Sequence, residues 1–340
     1  MDGQVYCWGS NTAHQVGQRR PGAVLRPRRV EGIEGVVQVV TGTMHSCALT
    51  AGGTVWCWGS NAQGALGPRT GGDTWQPTSV SGLNSIRQLS ANRGTNCALD
   101  SSGVVYCWGH NGPYIVVPSG RPLGEPVPRV ISGLAPAVEV VVGDLMACTR
   151  TVYHQIQCWG IGSMSILEAS SNRQAGTTPT FEPRQIEGVT PASTLTRVGL
   201  NHCAIVRGEL RCWGHDNRPL ASPDLSAWIA IPVPSIGGTP QHSGGCLCAL
   251  RHPTSLLCWR SSIGGNIRLL ADAGWLDQQQ SSPQILGIVL DEATLAVAFS
   301  DDFACLLTET HSVRCWGNNS LGQLGDGTTE SRNTPVRLQF

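Results

Sequence analysis

The sequence contains no lysine, so all 23 of its Lys and Arg residues are arginine. The 23 acidic residues balance them, and the formal net charge is zero. A nucleic-acid binder would need a stripe of basic residues, so nucleic acid is not an expected partner. No apolar run approaches the roughly 18 residues that span a bilayer, and we predict no membrane-spanning segment.

Motifs for catalysis and metal binding are also missing. The sequence has no Gly-x-Ser-x-Gly elbow, phosphate-binding loop or His-Glu-x-x-His helix. His45 and His202 lie just before repeated cysteines, and the acidic pair at Asp301 and Asp302 is typical of a turn. We therefore predict a non-enzymatic protein with no catalytic, cofactor or metal site. The enzymatic alternative is a site assembled from several loops.

The chain has instead one strongly repeated feature, the dipeptide Cys-Trp, which recurs every 46 to 57 residues. Its seven copies begin at Cys7, Cys57, Cys107, Cys158, Cys212, Cys258 and Cys315. A period of this size indicates a repeat architecture, because such short units cannot bury a hydrophobic face alone and must stack. We predict one domain over residues 1–340, although length alone would suggest two or more.

The clearest copy, residues 36–67, is typical of short strands joined by turns. Glycine (42) and proline (21) are plentiful, and no long stretch has helical periodicity. If one hairpin is centred on Gly52, Cys47 lies directly opposite Cys57. Opposed residues on antiparallel strands have Cβ atoms about 4.5–5.5 Å apart. A disulfide needs slightly less, so a modest adjustment would allow the bond.

Five other hairpins carry two cysteines at a spacing of nine or ten residues. The six predicted disulfides are Cys47–Cys57, Cys97–Cys107, Cys148–Cys158, Cys203–Cys212, Cys248–Cys258 and Cys305–Cys315. Such bonds favour a secreted, cell-surface or periplasmic protein. The alternative is a cytoplasmic protein in which cysteine is a small buried filler. Cys7 and Cys246 are left over, and neither a bond between them nor a metal site at Cys246 has further support.

The string from Cys315 to Thr329, CWGNNSLGQLGDGTT, resembles the regulator of chromosome condensation repeat family. The string HSCALT that begins at His45 is similar to another part of that repeat, and degraded copies cover essentially the whole chain. The resemblance implies an all-β fold, a β-propeller of about seven four-stranded blades around a central axis. The residues alone would leave a propeller, a sandwich and a barrel open.

The two chain ends bear on how such a ring closes. Seven Cys-Trp strands are present, but only six strands of the Cys-Ala-Leu type. We expect residues 335–338 to join residues 5–8 in one closing blade that lacks one strand. Six full blades with spare ends are the alternative. The chain begins inside a repeat without a secretory signal at its first residues, so we also expect a processed or truncated part of a longer protein.

The repeats differ most in the loops that follow Cys-Trp-Gly. Repeats one, two and seven keep an Asn-to-Gly pattern at residues 11–17, 61–67 and 319–325, whereas repeats three to six abandon it. Variable loops on a rigid scaffold usually carry binding, and aromatic and Arg side chains usually anchor the partner. We therefore predict a partner-binding arc formed by Trp75, Tyr114, Phe181, Arg218, Trp228, Arg260 and Trp275. The alternative is drift, with the aromatic side chains covering blade edges.

These features favour a monomeric bacterial scaffold that binds a protein partner and has no enzymatic activity. The family resemblance implies a second function, guanine-nucleotide exchange on a small GTPase. That function would require a cytosolic or nuclear protein with reduced thiols, against the predicted disulfides. A third function is inhibition, in which a propeller face caps the cleft of an enzyme.

Overall fold

The computed structural model describes residues 3–68, 71–112, 114–117, 124–161, 182–198, 201–214, 231–232, 241–243, 246–260, 285–300 and 302–340. In these ranges the regular secondary structure consists of β-strands. No helix long and apolar enough to cross a membrane is found in the described part of the chain.

The strands form one sheet of two strands and six sheets of four strands among the described residues. Sheet 1 consists of β1 (Tyr6–Ser10) and β2 (Ala23–Arg29). Sheets 2 to 4 consist of β3 (Val36–Thr41), β4 (His45–Thr50), β5 (Val55–Gly59) and β6 (Thr74–Ser79); β7 (Ile86–Asn92), β8 (Thr95–Asp100), β9 (Val105–Gly109) and β10 (Glu125–Val130); and β11 (Ala137–Val142), β12 (Ala147–Thr151), β13 (Ile156–Trp159) and β14 (Arg184–Gln185). Sheets 5 to 7 consist of β15 (Ala192–Val198), β16 (Asn201–Val206), β17 (Glu209–Gly214) and β18 (Ile231–Pro232); β19 (Gln241–Ser243), β20 (Cys246–His252), β21 (Ser255–Arg260) and β22 (Ile285–Val289); and β23 (Thr294–Phe299), β24 (Phe303–Thr308), β25 (Val313–Gly317) and β26 (Arg332–Arg337).

Each four-stranded sheet is an antiparallel meander whose strands follow one another in chain order. The first strands of successive sheets contact each other, from β3 with β7 through β19 with β23. The first strands therefore line a common axis, and the fourth strands lie at the rim. This radial arrangement of sheets confirms the predicted all-β propeller.

The tryptophan of Cys-Trp ties neighbouring sheets together. Its side chain is fully buried in sheets 2, 3 and 4, where Trp58, Trp108 and Trp159 are 0% exposed. In four sheets the indole N–H donates to a loop carbonyl of the preceding sheet: Trp58 to Gln15 (3.0 Å), Trp108 to Ala65 (2.9 Å), Trp159 to Ile115 (2.8 Å) and Trp8 to Gln323 (2.9 Å). The last bond joins sheet 1 to sheet 7, so the two ends of the chain meet through the same contact that joins neighbouring repeats.

A second tie links the first strands near the axis. The Gln38 amide accepts a hydrogen bond from the Leu89 N–H (2.8 Å) and donates one to the Leu89 carbonyl (2.9 Å). Gln88 makes the same two bonds with Val140 (3.0 and 3.3 Å). A buried backbone group without a partner is costly, so these side chains stabilise strand edges that would otherwise lack hydrogen bonds.

The disulfide prediction is confirmed for five of the six pairs. The bonded pairs are Cys47–Cys57, Cys97–Cys107, Cys148–Cys158, Cys203–Cys212 and Cys305–Cys315. In each pair the two cysteines lie directly opposite each other, as the hairpin alternation predicts. Cys248 and Cys258 are opposed in the same register, but their side chains lie outside the described part of the structure.

The predicted sharing of one sheet by the two chain ends is wrong. In the described chain β26 pairs with β25, and β1 pairs with β2. The reason is that each Pro-containing stretch returns to the Cys-Trp strand of its own repeat, and the last repeat does the same. In the part of the chain that the structure describes, sheet 1 consequently has two strands fewer than the other sheets, not the single strand fewer that we expected.

The two leftover cysteines lie in separate sheets. Cys7 is in β1 and has a free thiol. The Cys246 backbone pairs with Ser243 and Arg260 in sheet 6, on the far side of sheet 7 from sheet 1. Their different sheets place the two residues apart in the ring.

Candidate functional site

Strand direction assigns each described loop to one of two faces of the propeller. The third strand of a sheet runs parallel to the first, because each strand pairs antiparallel with the next. The loops after Cys-Trp-Gly therefore lie on the same face as the turns between first and second strands. We call this the loop face. The cysteine hairpin turns and the links between sheets lie on the opposite face.

An asparagine organises the regular loops of the loop face. Its Oδ1 accepts a hydrogen bond from the backbone N–H five residues later, at 2.8–3.0 Å: Asn11 from Val16, Asn61 from Leu66, Asn111 from Val116 and Asn319 from Leu324. The fourth residue of each loop has a left-handed backbone: His14, Gly64, Tyr114 and Gly322. The four loops therefore share one turn, and the second residue after the left-handed position is buried in each: Val16, Leu66, Val116 and Leu324.

This result corrects our expectation for repeat three. The sequence of this repeat departs from the Asn-to-Gly pattern after Asn111, yet residues 114–117 keep the regular loop geometry. Ile115 and Val116 are fully buried between sheets 3 and 4, and the Ile115 carbonyl accepts the Trp159 indole bond. Only the backbone of this position is needed for the tie, so an isoleucine side chain is compatible with it.

Two of the seven predicted binding residues have described side chains. Trp75 lies half-buried in β6, at the rim of sheet 2, and Tyr114 lies half-buried in the loop of sheet 3. Arg260 ends β21, where its backbone pairs with Cys246. Phe181, Arg218, Trp228 and Trp275 lie outside the described residues. The predicted arc therefore stays a prediction.

The loop face also contains a charged cluster that we did not predict from the sequence. The Asp144 carboxylate accepts two hydrogen bonds from the Arg93 guanidinium (2.8 and 3.1 Å) and lies 3.5 Å from Arg197. Asn92 also donates to this carboxylate. The cluster joins sheets 3, 4 and 5 close to the axis, since all four residues lie at or near the ends of first strands.

The sequence does contain a signal for this cluster. Arg93, Asp144 and Arg197 are spaced 51 and 53 residues apart, close to the repeat period. Charges of alternating sign at one repeat position are placed side by side when the repeats stack. An alignment of the first-strand ends would have shown them together.

The histidines near the cysteines are buried and structural. His45 hydrogen-bonds to Asn96 over 2.8 Å, and burial lowers its pKa below the usual value despite that bond. Burial also lowers the pKa of His202 to about 4, so its imidazole is neutral at neutral pH. In the described ranges, no three His, Cys, Asp or Glu residues are grouped as a metal site would require.

Four arginines line a groove at the rim of sheet 1. Arg19 and Arg20 come from the loop after β1, and Arg26 and Arg28 come from β2. The groove has a volume of about 570 Å³ and is bordered by Gly327 of the last loop. Among the described residues, no carboxylate lies within ion-pair distance of these four guanidinium groups. The groove therefore carries uncompensated positive charge in a chain of zero net charge.

Comparison with protein families identifies two models that match the chain, both described as the regulator of chromosome condensation (RCC1) repeat. One matches residues 2–49 and 311–340. The other matches residues 36–65, 86–112 and 295–323. These segments cover much of sheets 1, 2, 3 and 7, where the regular loops lie. No curated protein matches the sequence of the chain.

Solved structures share the fold at low sequence identity. Yeast RCC1 (Prp20) bound to Kap60 has a TM-score of 0.76 and 18% identity, over 100% of this chain and 84% of that chain. Prp20p from Saccharomyces cerevisiae, described with its binding properties to Gsp1p and histones, has a TM-score of 0.76 and 18% identity, over 99% and 86%. Human WBSCR16 has a TM-score of 0.72 and 18% identity, over 100% and 94%. At this identity the similarity establishes the fold alone.

Proposed function

Since the chain belongs to the RCC1 repeat family, we propose that it is a non-enzymatic scaffold that binds a protein partner through its loop face. The scaffold is stiff, because five disulfides close hairpins and the tryptophan ties join neighbouring sheets. Rigid scaffolds with loops gathered at one face are suited to binding, since little order has to be gained on association.

Two finer features belong to this proposal. The seven sheets act as seven blades of one ring, supported by the Trp8 bond that joins sheet 1 to sheet 7. The protein works in an oxidising compartment, supported by the five disulfides, because such bonds are rarely kept in the cytosol.

The observation that carries the proposal is the arginine groove beside the loop face. Arginine is enriched at protein interfaces, and four guanidinium groups without a described carboxylate favour an acidic partner surface. Met44 and Leu321 add exposed apolar side chains on the loop face, at 50% and 49% exposure.

Site-specific photo-crosslinking tests which face binds. A benzophenone amino acid is placed at Leu321 on the loop face or at Tyr153, which is 65% exposed in a hairpin turn of the opposite face. We expect a discrete crosslinked partner from position 321 and none from position 153. Crosslinking from position 153 alone would overturn the choice of face.

Once the partner has been identified, charge reversal tests whether the arginine groove belongs to the interface. Arg19→Glu with Arg20→Glu should slow association about tenfold at low salt, because electrostatic attraction acts mainly on the association rate. Arg207→Glu is the matched control, since Arg207 is an exposed arginine in a hairpin turn of the opposite face. Equal effects of the two changes would remove the groove from the interface.

The two other functions raised by the sequence are separable by assay. Guanine-nucleotide exchange would appear as faster release of labelled GDP from a small GTPase. Inhibition would appear as loss of activity when the crosslinked partner is an enzyme. A scaffold that only binds would change neither rate, and either activity would revise the proposal.

A further inference from the structure

Strand β1 is nearly a copy of β5, yet it has one neighbouring strand where β5 has two. Residues 5–10 read VYCWGS and residues 55–60 read VWCWGS, which differ at one position. β5 pairs with both β4 and β6, whereas β1 pairs only with β2 in the described structure. One edge of β1 is therefore unpaired in the described structure. In sheet 2 the same edge of β5 pairs with β4, so β4 shows which kind of strand can pair with this sequence.

The neighbouring first strand is exposed at the same place. Val39 of β3, Leu89 of β7 and Val140 of β11 hold the same position, opposite the residue that follows the second-strand cysteine. Val39 is 40% exposed, but Leu89 is 3% and Val140 is 0% exposed. The latter two are covered by the first strand of the preceding sheet. Val39 is not, because sheet 1 contains no such strand among the described residues.

In the described structure, the backbone of β3 also has no glutamine partner of the kind that binds β7 and β11. Leu89 and Val140 each exchange two hydrogen bonds with a glutamine from the preceding first strand. Among the described residues, no side chain makes this contact with Val39. The open edge of β1 and the uncovered face of β3 are thus two sides of one gap.

Cys7 lies beside this gap. Its counterparts in the third strands of sheets 2, 3, 4, 5 and 7 are all bonded to a second-strand cysteine. Cys7 is free and packs against a buried cluster that includes Val5, Val30 and Trp58. Burial raises the pKa of its thiol to about 12, so the group is protonated at neutral pH and reacts slowly with ordinary disulfides.

We propose that the gap in sheet 1 binds a β-hairpin of the repeat's own type, supplied from outside residues 1–340 and carrying a cysteine opposite Cys7. Addition of strands to an open sheet edge is a general mode of peptide recognition, in which backbone hydrogen bonds give affinity and side-chain pockets give specificity. This site is independent of the loop-face interface.

Sheet 2 specifies the chemistry of the incoming hairpin. Its second strand should place a cysteine opposite Cys7, as Cys47 opposes Cys57, and a leucine opposite Val5, as Leu49 opposes Val55. Its first strand should cover Val39 and supply a glutamine to the Val39 backbone. The hairpin of residues 36–50 has these features and serves as the probe.

The test uses a synthetic peptide of residues 36–50 whose cysteine is a mixed disulfide with 2-thiopyridine. In the capture reaction the Cys7 sulfur loses its proton and bonds to the peptide sulfur, and 2-thiopyridine leaves with the electron pair and gains a proton. Alignment in the gap should make labelling at least about tenfold faster than for a scrambled peptide, by raising the effective concentration. Mass spectrometry of the adduct should locate the bond at Cys7.

Variants at exposed positions provide matched controls. Val39→Asp should slow capture about tenfold by placing a charge against the incoming first strand. Val152→Asp, at a 46% exposed valine in a hairpin turn, should leave the rate unchanged. Equal rates for the native and scrambled peptides, or equal effects of the two substitutions, would overturn the proposal. A disulfide-linked dimer through Cys7 on air oxidation would also overturn it, by assigning the gap to a second copy.

A fusion keeps the idea testable if the free peptide aggregates. Residues 36–50 are joined directly before Met1, because residues 1–4 then replace the turn at 51–54. Cys7 should become resistant to thiol reagents after mild oxidation, and amide exchange in β1 should slow at least about tenfold as its edge gains hydrogen bonds. Unchanged exchange in β1 would show that the gap does not accept a hairpin.

Discussion

Sheets 1 and 2 contain nearly the same third strand and the same asparagine loop, but among the described residues only sheet 2 has the hairpin that lies nearer the axis. In sheet 2 the Cys57 and Trp58 side chains are 0% exposed. In sheet 1 the corresponding Cys7 and Trp8 are half-buried. Comparison of the two sheets therefore separates the contacts that the third strand makes by itself from those that depend on the hairpin.

The comparison shows that two bonding systems overlap in the Cys-Trp dipeptide. The Trp8 indole still donates to a loop carbonyl of the preceding sheet, although the described part of sheet 1 has no hairpin of first and second strands. The tryptophan tie is thus a property of the third strand and its neighbouring loop. The cysteine instead depends on the second strand, because Cys7 is free where that strand is missing. Tryptophan joins repeats, and cysteine closes a single repeat.

The largest expected effect tests the tryptophan tie. Trp58→Ala should lower the free energy of unfolding by about 3–5 kcal/mol, because it leaves a large cavity between sheets 1 and 2. Trp8→Ala should cost less, since Trp8 is only half-buried. Urea unfolding of both variants measures the difference. An equal loss would mean that the contact between sheets 7 and 1 is packed as tightly as a regular one.

The next effect concerns the pH dependence of stability and a histidine of a second strand, an element that the described part of sheet 1 does not contain. Burial lowers the pKa of His202 to about 4, whereas an unfolded histidine has a pKa of about 6.5. Stability should be full above pH 6.5 and fall by about 3 kcal/mol as the pH drops towards 4, because the unfolded chain gains a proton that the folded chain excludes.

His202→Gln should remove this part of the pH dependence. Urea midpoints at pH 7 and pH 4.5 would be compared for the native chain and the variant, since other groups contribute equally to both. His45 should still contribute a drop in the same direction, because burial lowers its pKa as well. An unchanged drop in the variant would show that His202 is solvated or already protonated in the folded state.

The disulfides should contribute somewhat less per bond. Replacing Cys47 and Cys57 together by serine should cost about 2–3 kcal/mol, the value that loop entropy gives for a closed loop of this length. Urea unfolding measures the loss. A thiol count on the denatured, non-reduced native chain should give two free thiols among the 14 cysteines. A count of fourteen would contradict both the bonds and the oxidising compartment.

Much of the fold could be predicted because the hairpin alternation is local. The spacing of Cys47 and Cys57 around Gly52 fixes which residues face each other, and the structure has that register. Ring closure could not be predicted in this way. The Pro-containing stretch at the C-terminus could pair with β1 or with β25, and in the structure it pairs with β25 of its own repeat.

The candidate site was harder to predict because it depends on contacts between repeats. Ile115 looked like a divergent loop residue, but the tie to Trp159 uses only its carbonyl. The cluster of Arg93, Asp144 and Arg197 arises only when three repeats stack side by side. Sequence reading within one repeat misses both, since a backbone acceptor has no side-chain signature and a charge pair across repeats has no local spacing.

The smallest effect is expected at Cys7. Cys7→Ser should cost less than about 1 kcal/mol in the free chain, because it removes a half-buried thiol and no disulfide. Cys57→Ser should cost about 2–3 kcal/mol, because it opens a bonded hairpin. When residues 36–50 are fused before Met1, the difference should disappear, since Cys7 would then have the partner that Cys57 has. If Cys7→Ser stays nearly neutral in the oxidised fusion, the two strands differ in more than their missing neighbours.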